Sequence, residues 1–229
     1  LSCDGMTVDG DVFLSGGFKA KGAVRLSGAN IGGDLDCSKG TFEGDFIGEK
    51  LKVAGRLIWY ELKEKPKGML DLISAVLRDL YDEEASWPEP GKLILDGLVY
   101  GPFISGVPAN ARSRLRWLNL QPPGDFSVQP YEQLIRVFRQ MGLRDDAKKI
   151  AIAKQRAIRK RLGGLSRVGS WIEDLTIGYG YHPEWVFRFI LPVILLGVLV
   201  FGWAFANGVM APTEENAQWG LFVAQTQAQ

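Results

Sequence analysis

An eleven-residue spacing of glycines is the feature of this sequence that most restricts its fold. Gly10, Gly22, Gly33, Gly44 and Gly55 follow one another at intervals of 12, 11, 11 and 11 residues. Apolar residues occupy the second position after each glycine and, in most units, the fourth: Val12 and Leu14, Val24 and Leu26, Leu35 and Cys37, Phe46, Leu57 and Trp59. This alternation predicts short strands with one buried face and a glycine at each bend. Because no unit can bury its face alone, we expect the units to stack into a parallel β-solenoid.

The periodicity leaves open whether two or three units make one coil. The unit recurs at Gly91, followed by apolar residues at Leu93, Leu95 and Leu98, so we assign residues 1–106 to the solenoid domain. The alternative is an antiparallel meander with tight turns. It is disfavoured because no Asn-Gly or Asp-Gly hairpin turn occurs between Gly10 and Gly91.

The segment from Lys63 to Pro90 interrupts the repeat and has helical spacing instead. Seven apolar residues carry this pattern: Met69, Leu72, Ile73, Val76, Leu77, Leu80 and Tyr81. We therefore expect an inserted amphipathic helix at about 64–90 that packs on the solenoid or covers its open end. Acidic residues toward the end of this segment are interpreted as a solvated face: Asp79, Asp82, Glu83 and Glu84.

Few residues of this chain are suited to catalysis. Its 229 residues include one histidine, His182, and two cysteines, Cys3 and Cys37, which we expect to be buried, unreactive thiols. These three side chains cannot supply a four-ligand zinc site. The sequence has no phosphate-binding loop, no dinucleotide-binding glycine motif in a strand–helix setting and no Cys-x-x-Cys. We therefore predict no catalytic, cofactor-binding or metal-binding residue and no cofactor, and the sequence favours a non-enzymatic role.

Residues 107–168 are expected to form a helical module with a basic face. The stretch Asn110–Gln121 predicts a short helix, after which a Pro-Pro-Gly sequence breaks the chain. Pro130 opens a second helix, and Gly142 lies where its C-terminal cap is expected. An Asp pair at 145–146 begins a third helix, so the second and third helices form an αα-hairpin.

An uncharged apolar run from Phe189 to Ala206 predicts a helix of about 27 Å, close to the ~30 Å hydrocarbon core of a membrane. We place a transmembrane helix at about 186–208 within a juxtamembrane region of 169–210, and a tail of 211–229 beyond the membrane. The residues assigned to the bilayer interior are Phe189, Leu191, Leu195, Val198, Phe201 and Ala206. The aromatic residues assigned to its interfaces are Tyr179, Tyr181, Trp185 and Trp203. A buried core helix is the alternative.

Basic residues are concentrated on one side of the apolar run. Nine lie between Arg144 and Arg167, whereas Glu214 and Glu215 follow the run, so the positive-inside rule places the N-terminal domain in the cytoplasm. Residues expected to contact lipid headgroups or to set topology are Lys154, Arg156, Arg159, Lys160, Arg161, Arg167 and Arg188. Nucleic acid is not an expected partner, because no aromatic residues interleave with this stretch and the net charge is only +1.

Three stretches resemble a bacterial group of pentapeptide-repeat-like, β-helical membrane proteins. They are GAVRLSGANIGGDLDCSKGTF (22–42), the stretch from RLRWLNLQPPG to IAIAKQR (114–156) and WIEDLTIGYGYHPEWVFRF (171–189). Members of this group are often labelled membrane-associated oxidoreductases. They join glycine-rich repeats to a Tyr-Glu-Gln-Leu helical hairpin, a Gly-Tyr-Gly-Tyr juxtamembrane stretch and C-terminal spans. The resemblance implies a location in the bacterial inner (cytoplasmic) membrane.

The fold class expected from these features is mixed: a short parallel β-solenoid with an inserted helix, then an α-helical hairpin and a transmembrane helix. The favoured function is a non-enzymatic, membrane-anchored scaffold or interaction protein, with the solenoid on the cytoplasmic side. The alternatives are an oligomerising membrane effector or channel gated by the cytoplasmic domain, and a membrane-associated oxidoreductase as the family label implies. Expected partners are the lipid bilayer, including anionic lipid, and a second copy of the chain. This copy would join through the transmembrane helix, where Gly202 and Ala206 form a small-residue pair, or through the solenoid end.

Overall fold

The computed structural model describes residues 1–103, 109–124, 126–161 and 187–209. The chain divides into two compact units, Leu1–Gly163 and Gly164–Gln229, and each is described by itself. The described part of the first unit contains twelve strands and three α-helices, and that of the second contains one α-helix. The fold is therefore mixed, as the sequence predicts, and all the described α-helices follow the strands.

The strands of the first unit are mostly two residues long, because the chain turns after one inward and one outward side chain. They are β1 (Thr7–Val8), β2 (Val12–Phe13), β3 (Lys19–Ala20), β4 (Val24–Arg25), β5 (Asn30–Ile31), β6 (Leu35–Asp36), β7 (Thr41–Phe42), β8 (Phe46–Ile47), β9 (Lys52–Trp59), β10 (Leu70–Asp71), β11 (Val76–Asp82) and β12 (Leu93–Ile94). A short 3-10 helix, Glu84–Ser86, follows β11. Strand β9 is long enough to pair with both β5 and β6.

The strands pair in parallel ladders, and one ladder runs through β4, β8, β10 and β12. In it Val24 pairs with Phe46, Phe46 pairs with Leu70, and Leu70 pairs with Leu93. Each partner lies about two glycine intervals further along the chain than the residue it pairs with. One coil therefore takes two of the repeated units, and the predicted parallel β-solenoid is confirmed.

The repeated glycines lie where the backbones of successive coils come closest to one another. A Cβ on Gly44 would lie 2.5 Å from the carbonyl carbon of Gly22, and a Cβ on Gly55 would lie 2.7 Å from that of Gly33. Side chains do not fit at such distances. The glycines form two columns, one of Gly10, Gly33 and Gly55 and one of Gly22, Gly44 and Gly68. Each coil contributes one glycine to each column. The interval of about eleven residues between successive glycines therefore corresponds to half a coil.

The interior of the solenoid is filled by the inward side chain of each strand. Along one ladder, Val24 and Phe46 are each 1% exposed and Leu93 is 0% exposed. An aromatic cluster adds to this core, since the ring centroids of Phe42 and Trp59 lie 4.9 Å apart and those of Phe46 and Trp59 lie 5.1 Å apart. Removal of this apolar area from water is the main source of stability for the coils.

The prediction of an inserted amphipathic helix at about 64–90 is wrong, because the segment forms strands β10 and β11 of the solenoid. Leu70 pairs with Phe46 and Leu77 pairs with Val53, each one coil earlier in the chain. The apolar residues of this segment fit a helical spacing, but on a strand they also alternate between buried and outward positions. The strand forms because β8 and β9 have an open edge, whose backbone groups hydrogen-bond to a strand and not to a helix.

Three helices follow the last coil: α1 (Ala111–Leu118), α2 (Gln129–Gln140) and α3 (Arg144–Arg159). Asn110 caps α1 by accepting a hydrogen bond from the backbone N–H of Ser113 at 2.9 Å. After α2, Gly142 has a φ of +76°, which glycine adopts without strain. Helices α2 and α3 pack against each other, so the predicted short helix and αα-hairpin are both confirmed.

Helix α2 covers the edge of the last coil through two glutamine side chains. The Gln129 amide accepts a hydrogen bond from the N–H of Gly97 at 3.0 Å and donates one to the carbonyl oxygen of Leu98 at 2.9 Å. Gln133 donates a further hydrogen bond to the carbonyl oxygen of Tyr100. These amides take the place that the backbone of another coil would occupy, so three backbone groups of this edge are paired.

A buried ion pair joins α1 to the solenoid. Arg114, which is 0% exposed, donates two hydrogen bonds to the carboxylate of Asp82 at 2.6 and 2.8 Å. The indole N–H of Trp87 donates to the same carboxylate at 2.7 Å, and the Arg114 guanidinium lies 3.8 Å from the centroid of the Phe103 ring. The interpretation of the acidic residues as a solvated face is therefore wrong for Asp82, which the helical layer covers.

The described part of the second unit is helix α4 (Phe187–Ala206) and the turn after it. Large apolar side chains of α4 are exposed, for example Leu195 by 61% and Val198 by 64%. Across the described residues, however, we find no helix whose length and apolar character together would suffice to cross a membrane. The transmembrane helix predicted at about 186–208 is not supported by this finding.

Candidate functional site

A groove in the first unit runs between the end of α1, the segment that follows it and one face of α3. Its largest hollow has a volume of about 570 Å³, and a second hollow of about 430 Å³ adjoins it. The two hollows share Asn119, Tyr131, Ala157 and Lys160, so they form one continuous depression. We call this depression the basic groove, because Lys149, Arg156, Lys160 and Arg161 line it.

The amphipathic pattern of α3 explains why cations line the groove. Ile150 and Ala151 are 0% exposed on the packed side of the helix. Lys149, Arg156 and Lys160 are separated by seven and four residues, which places them on a common face. This face meets the groove, so the polar side of an ordinary surface helix becomes one wall of a concave site.

Arg161 and two aromatic rings also line the larger hollow. The guanidinium carbon of Arg161 lies 4.9 Å from the centroid of the Phe126 ring, and its N–H groups point toward the carbonyl oxygens of Gly124 at 3.4 Å and Pro123 at 3.5 Å. Phe126 packs on Tyr131 with ring centroids 5.8 Å apart. Burial raises the pKa of the Tyr131 phenol, so this hydroxyl is neutral at physiological pH.

Cations and apolar side chains both line the groove. Four lysine or arginine residues line its two hollows, and Asp96 lines a further hollow of about 350 Å³ that shares Phe126 and Arg161 with the larger one. Lys149 forms an ion pair with Asp146 at 2.8 Å, and this hydrogen bond raises the pKa of Lys149. Leu118, Phe126 and Ala157 supply apolar surface between the cations. Such an arrangement suits an anion that also carries an apolar part.

Three of the residues predicted to contact lipid headgroups meet in this groove. Arg156, Lys160 and Arg161 all line it and are exposed. Arg159 lies on α3 with intermediate exposure and is not among the groove residues. The sequence therefore identified part of the cationic lining but not the cavity that the lining surrounds.

Another predicted headgroup residue has a structural contact instead. The side chain of Lys154 is only 12% exposed and forms an ion pair with Glu132, which ties α3 to α2. Arg167 and the side chain of Arg188 lie outside the described residues. Lys154 thus stabilises the αα-hairpin in this structure.

The residues predicted to lie in the bilayer interior are on α4 and exposed, as far as they are described. Leu191, Leu195, Val198, Phe201 and Ala206 are all accessible on the helix surface. Trp203, one of the predicted interfacial aromatic residues, is also exposed. The side chain of Phe189 and the residues Tyr179, Tyr181 and Trp185 lie outside the described residues.

The cysteines are placed as structural residues. Cys37 is buried, and this burial raises the pKa of its thiol well above the usual value, which keeps the thiol protonated and unreactive. Cys3 has intermediate exposure, so the expectation of burial holds for it only in part. Within the described ranges, no group of three or more His, Cys, Asp or Glu residues could hold a metal ion, and His182 lies outside these ranges.

Comparison of the chain with family models, with curated proteins and with solved structures found no match. The structure itself establishes the parallel β-solenoid. The resemblance to pentapeptide-repeat-like membrane proteins gains no support from these comparisons.

Sequence reasoning missed the neutral residues of the groove. Asn119, Phe126 and Tyr131 come from the end of α1, the following segment and the start of α2. No motif links them, because their proximity depends on how the hairpin packs beside α1. The Pro-Pro-Gly break between the helices was the only local sign that the chain turns at this place.

Proposed function

We propose that this protein is a non-enzymatic, membrane-anchored β-solenoid scaffold or interaction protein. The observation that carries the proposal is the apolar surface of α4. Its large apolar side chains range from 42% exposed at Ile190 to 77% exposed at Phe205. A contiguous apolar surface of this kind is unfavourable in water and is typical of a membrane or protein contact.

Lipid is the environment that we assign to α4. On insertion scales, each Leu, Ile, Phe or Val favours the bilayer interior by about 0.3–0.6 kcal/mol. The uncharged run from Phe189 to Ala206 contains twelve residues of these types, and the proposal assigns the anchor to α4.

The distribution of charge supports an orientation with the solenoid in the cytoplasm. Basic residues are concentrated before the anchor, between Arg144 and Arg167, and Glu214 and Glu215 follow it. Under the positive-inside rule this asymmetry favours retention of the first unit on the cytoplasmic side. Together with the sequence resemblance, it favours the inner membrane of a bacterium.

The solenoid supports a scaffold role because its shape depends on its own core rather than on a ligand. Ion pairs between coils line its outer surface, among them Asp4 with Arg25, Lys19 with Glu43 and Asp34 with Arg56. A regular, self-supporting surface of stacked coils is typical of proteins that present binding faces. A soluble partner would bind there while α4 holds the complex at the membrane.

Flotation of the full chain with phosphatidylcholine vesicles tests the anchor. We expect the wild-type chain to float with the vesicles and to resist an alkaline carbonate wash. A double variant, Leu195→Asp with Val198→Asp, should remain in the aqueous fraction, because each central aspartate costs about 3 kcal/mol on insertion.

The matched control is Leu195→Val with Val198→Leu, which keeps the apolar character of α4 and should float like the wild type. Extraction of the wild-type chain by carbonate would refute the anchor. Unchanged flotation of the aspartate variant would refute the assignment of the anchor to α4.

A further inference from the structure

We infer that the basic groove binds the phosphate-bearing headgroup of an anionic lipid, with phosphatidylglycerol as the representative. The inference rests on the proposed membrane anchoring and adds a specific site to it. It is carried by three features of the groove: its concave shape, its cationic residues and the apolar side chains that line it beside them.

The shape of the groove fits one headgroup and the start of an acyl chain. Its main hollow of about 570 Å³ continues into the hollow of about 430 Å³ along α3. A volume in this range is typical of sites for small molecules. An elongated amphiphile can therefore lie along the groove with its charged and apolar parts in contact with different walls.

The cations of the groove lie on α3 and at its C-terminal end. Arg156 and Lys160 lie on one face of the helix, and Arg161 lies beside Phe126 in the lining of the larger hollow. Arginine offers planar pairs of N–H donors that match phosphate oxygens, and lysine adds a compact charge. A phosphate diester between them would receive charge-assisted hydrogen bonds.

The remaining lining distinguishes a lipid from a purely polar anion. Leu118, Phe126 and Ala157 offer apolar contact next to the cations, and Asn119 and Gln121 are positioned at the walls as neutral hydrogen-bonding groups. Glycerol hydroxyls and ester oxygens match these amides, and the first methylene groups match the apolar surface. An inorganic phosphate ion would leave both kinds of group unused.

Lipid is favoured over nucleic acid by the same lining. Phe126 is covered on one face by Arg161 and packs on Tyr131, so a nucleotide base has no open ring to stack on there. The cations also occupy a short depression rather than an extended track along which a phosphate backbone could run.

The test measures lipid retention by native mass spectrometry of the full chain, extracted with a neutral detergent from vesicles of equal parts phosphatidylcholine and phosphatidylglycerol. We expect the wild-type chain to retain phosphatidylglycerol preferentially. Lys160→Gln with Arg161→Gln should lower this preference by roughly tenfold or more, since it removes two basic residues that attract anionic lipid. The charge-matched control, Lys21→Gln with Lys65→Gln on exposed solenoid positions, should keep it.

A second variant separates lost binding from misfolding. Lys160→Arg with Arg161→Lys keeps both charges and should restore most of the preference, whereas a merely structural defect at these positions would persist in the exchanged pair. Unchanged lipid preference in the glutamine variant would overturn the inference.

Two further arms identify the source of the phosphate. Titration of the detergent-solubilised chain with glycerol phosphate should give binding at least tenfold weaker than the lipid. Equal affinity would overturn the lipid assignment in favour of a soluble phosphate ester, and preferential binding of a single-stranded oligonucleotide would overturn it in favour of nucleic acid. Flotation with pure phosphatidylcholine reports on the anchor alone, so failure of the anchor and failure of the groove give different results.

Discussion

The solenoid and helix α4 both contain many Leu, Ile, Val and Phe residues, more densely placed in α4, and they expose these residues in opposite ways. Leu35 and Leu57 in the solenoid are each 0% exposed, whereas Leu195 and Leu199 in α4 are 61% and 69% exposed. The difference arises from spacing. Alternating apolar residues turn inward together on stacked strands, but an apolar residue at nearly every position covers all sides of a helix.

This contrast separates two uses of apolar side chains. In the solenoid, burial stabilises the fold, and outward positions are left to charged residues that pair between coils. In α4 the same residue types stabilise nothing within the described structure, so we expect them to act through an external environment. Four experiments test this contrast, from the largest expected effect on stability to the smallest.

The largest effect is expected from Arg114→Met at the covered end of the solenoid. The substitution leaves the carboxylate of Asp82 buried without its cation, and we expect a loss of about 3–5 kcal/mol in the free energy of unfolding. Urea unfolding in neutral detergent, followed by circular dichroism, measures the change. The control Arg116→Met removes an arginine that is exposed and pairs with Glu84, and it should cost less than about 1 kcal/mol. A similar loss in both variants would contradict a special role for the buried pair.

Truncation of one leucine in each region tests the contrast directly. Leu35→Ala opens a cavity in the solenoid core and should lower the free energy of unfolding by about 2–5 kcal/mol. Leu195→Ala should change it by less than about 0.5 kcal/mol, because that side chain is already exposed. Equal losses in the same unfolding experiment would indicate that α4 belongs to a packed core.

A smaller effect is expected from a methyl group in a glycine column. Gly44→Ala places a Cβ 2.5 Å from the backbone of Gly22, so the coils must shift, and we expect a loss of about 1–3 kcal/mol. Gly22→Ala is the matched control, since nothing lies within 4 Å of its Cβ position. It should be neutral or stabilising by up to about 1 kcal/mol. The midpoints of thermal unfolding of the two variants measure this difference. Equal midpoints would contradict the close contact between coils at the glycine column.

The smallest effect concerns the outer face of the solenoid and its dependence on pH. The Arg56 guanidinium hydrogen-bonds Asp34 and lowers the pKa of this carboxyl in the folded state. A lowered folded pKa gives stability that is present above the unfolded value of about 3.9 and is lost as pH falls through the folded value. The midpoint of thermal unfolding should therefore fall more steeply below about pH 4 in the wild type than in Asp34→Asn. If the unfolding midpoint depends on pH in the same way in the wild type and in Asp34→Asn, the ion pair of Asp34 with Arg56 does not stabilise the coils.

The sequence predicted the solenoid because its signal is local and repeated. The two-residue alternation and the glycines at half-coil spacing appear in nearly every unit, so each repeat supports the others. The segment with Leu70 and Leu77 was misjudged because its apolar spacing fits both a helix and a strand. The pairing partners that decide between them, Phe46 and Val53, lie a full coil earlier in the chain.

The basic groove was predicted only as a charge pattern. Arg156, Lys160 and Arg161 are visible in the sequence as part of a basic stretch. Their arrangement beside Phe126 and Asn119 depends on how α1, α3 and the segment after α1 pack together. Lys154 illustrates the same limit, since it belongs to the same stretch but is held by Glu132 on a neighbouring helix.

By itself the sequence determined that the chain forms a parallel β-solenoid, followed by a helical hairpin and a separate apolar helix. These features follow from side-chain periodicity, which acts within a few residues of chain. Only the tertiary structure decided that two units make one coil, that Val76–Asp82 is a strand, and that the cations of α3 line a groove. Each of these depends on backbone pairing or packing between segments far apart in the chain, and short-range patterns carry no information about such partners.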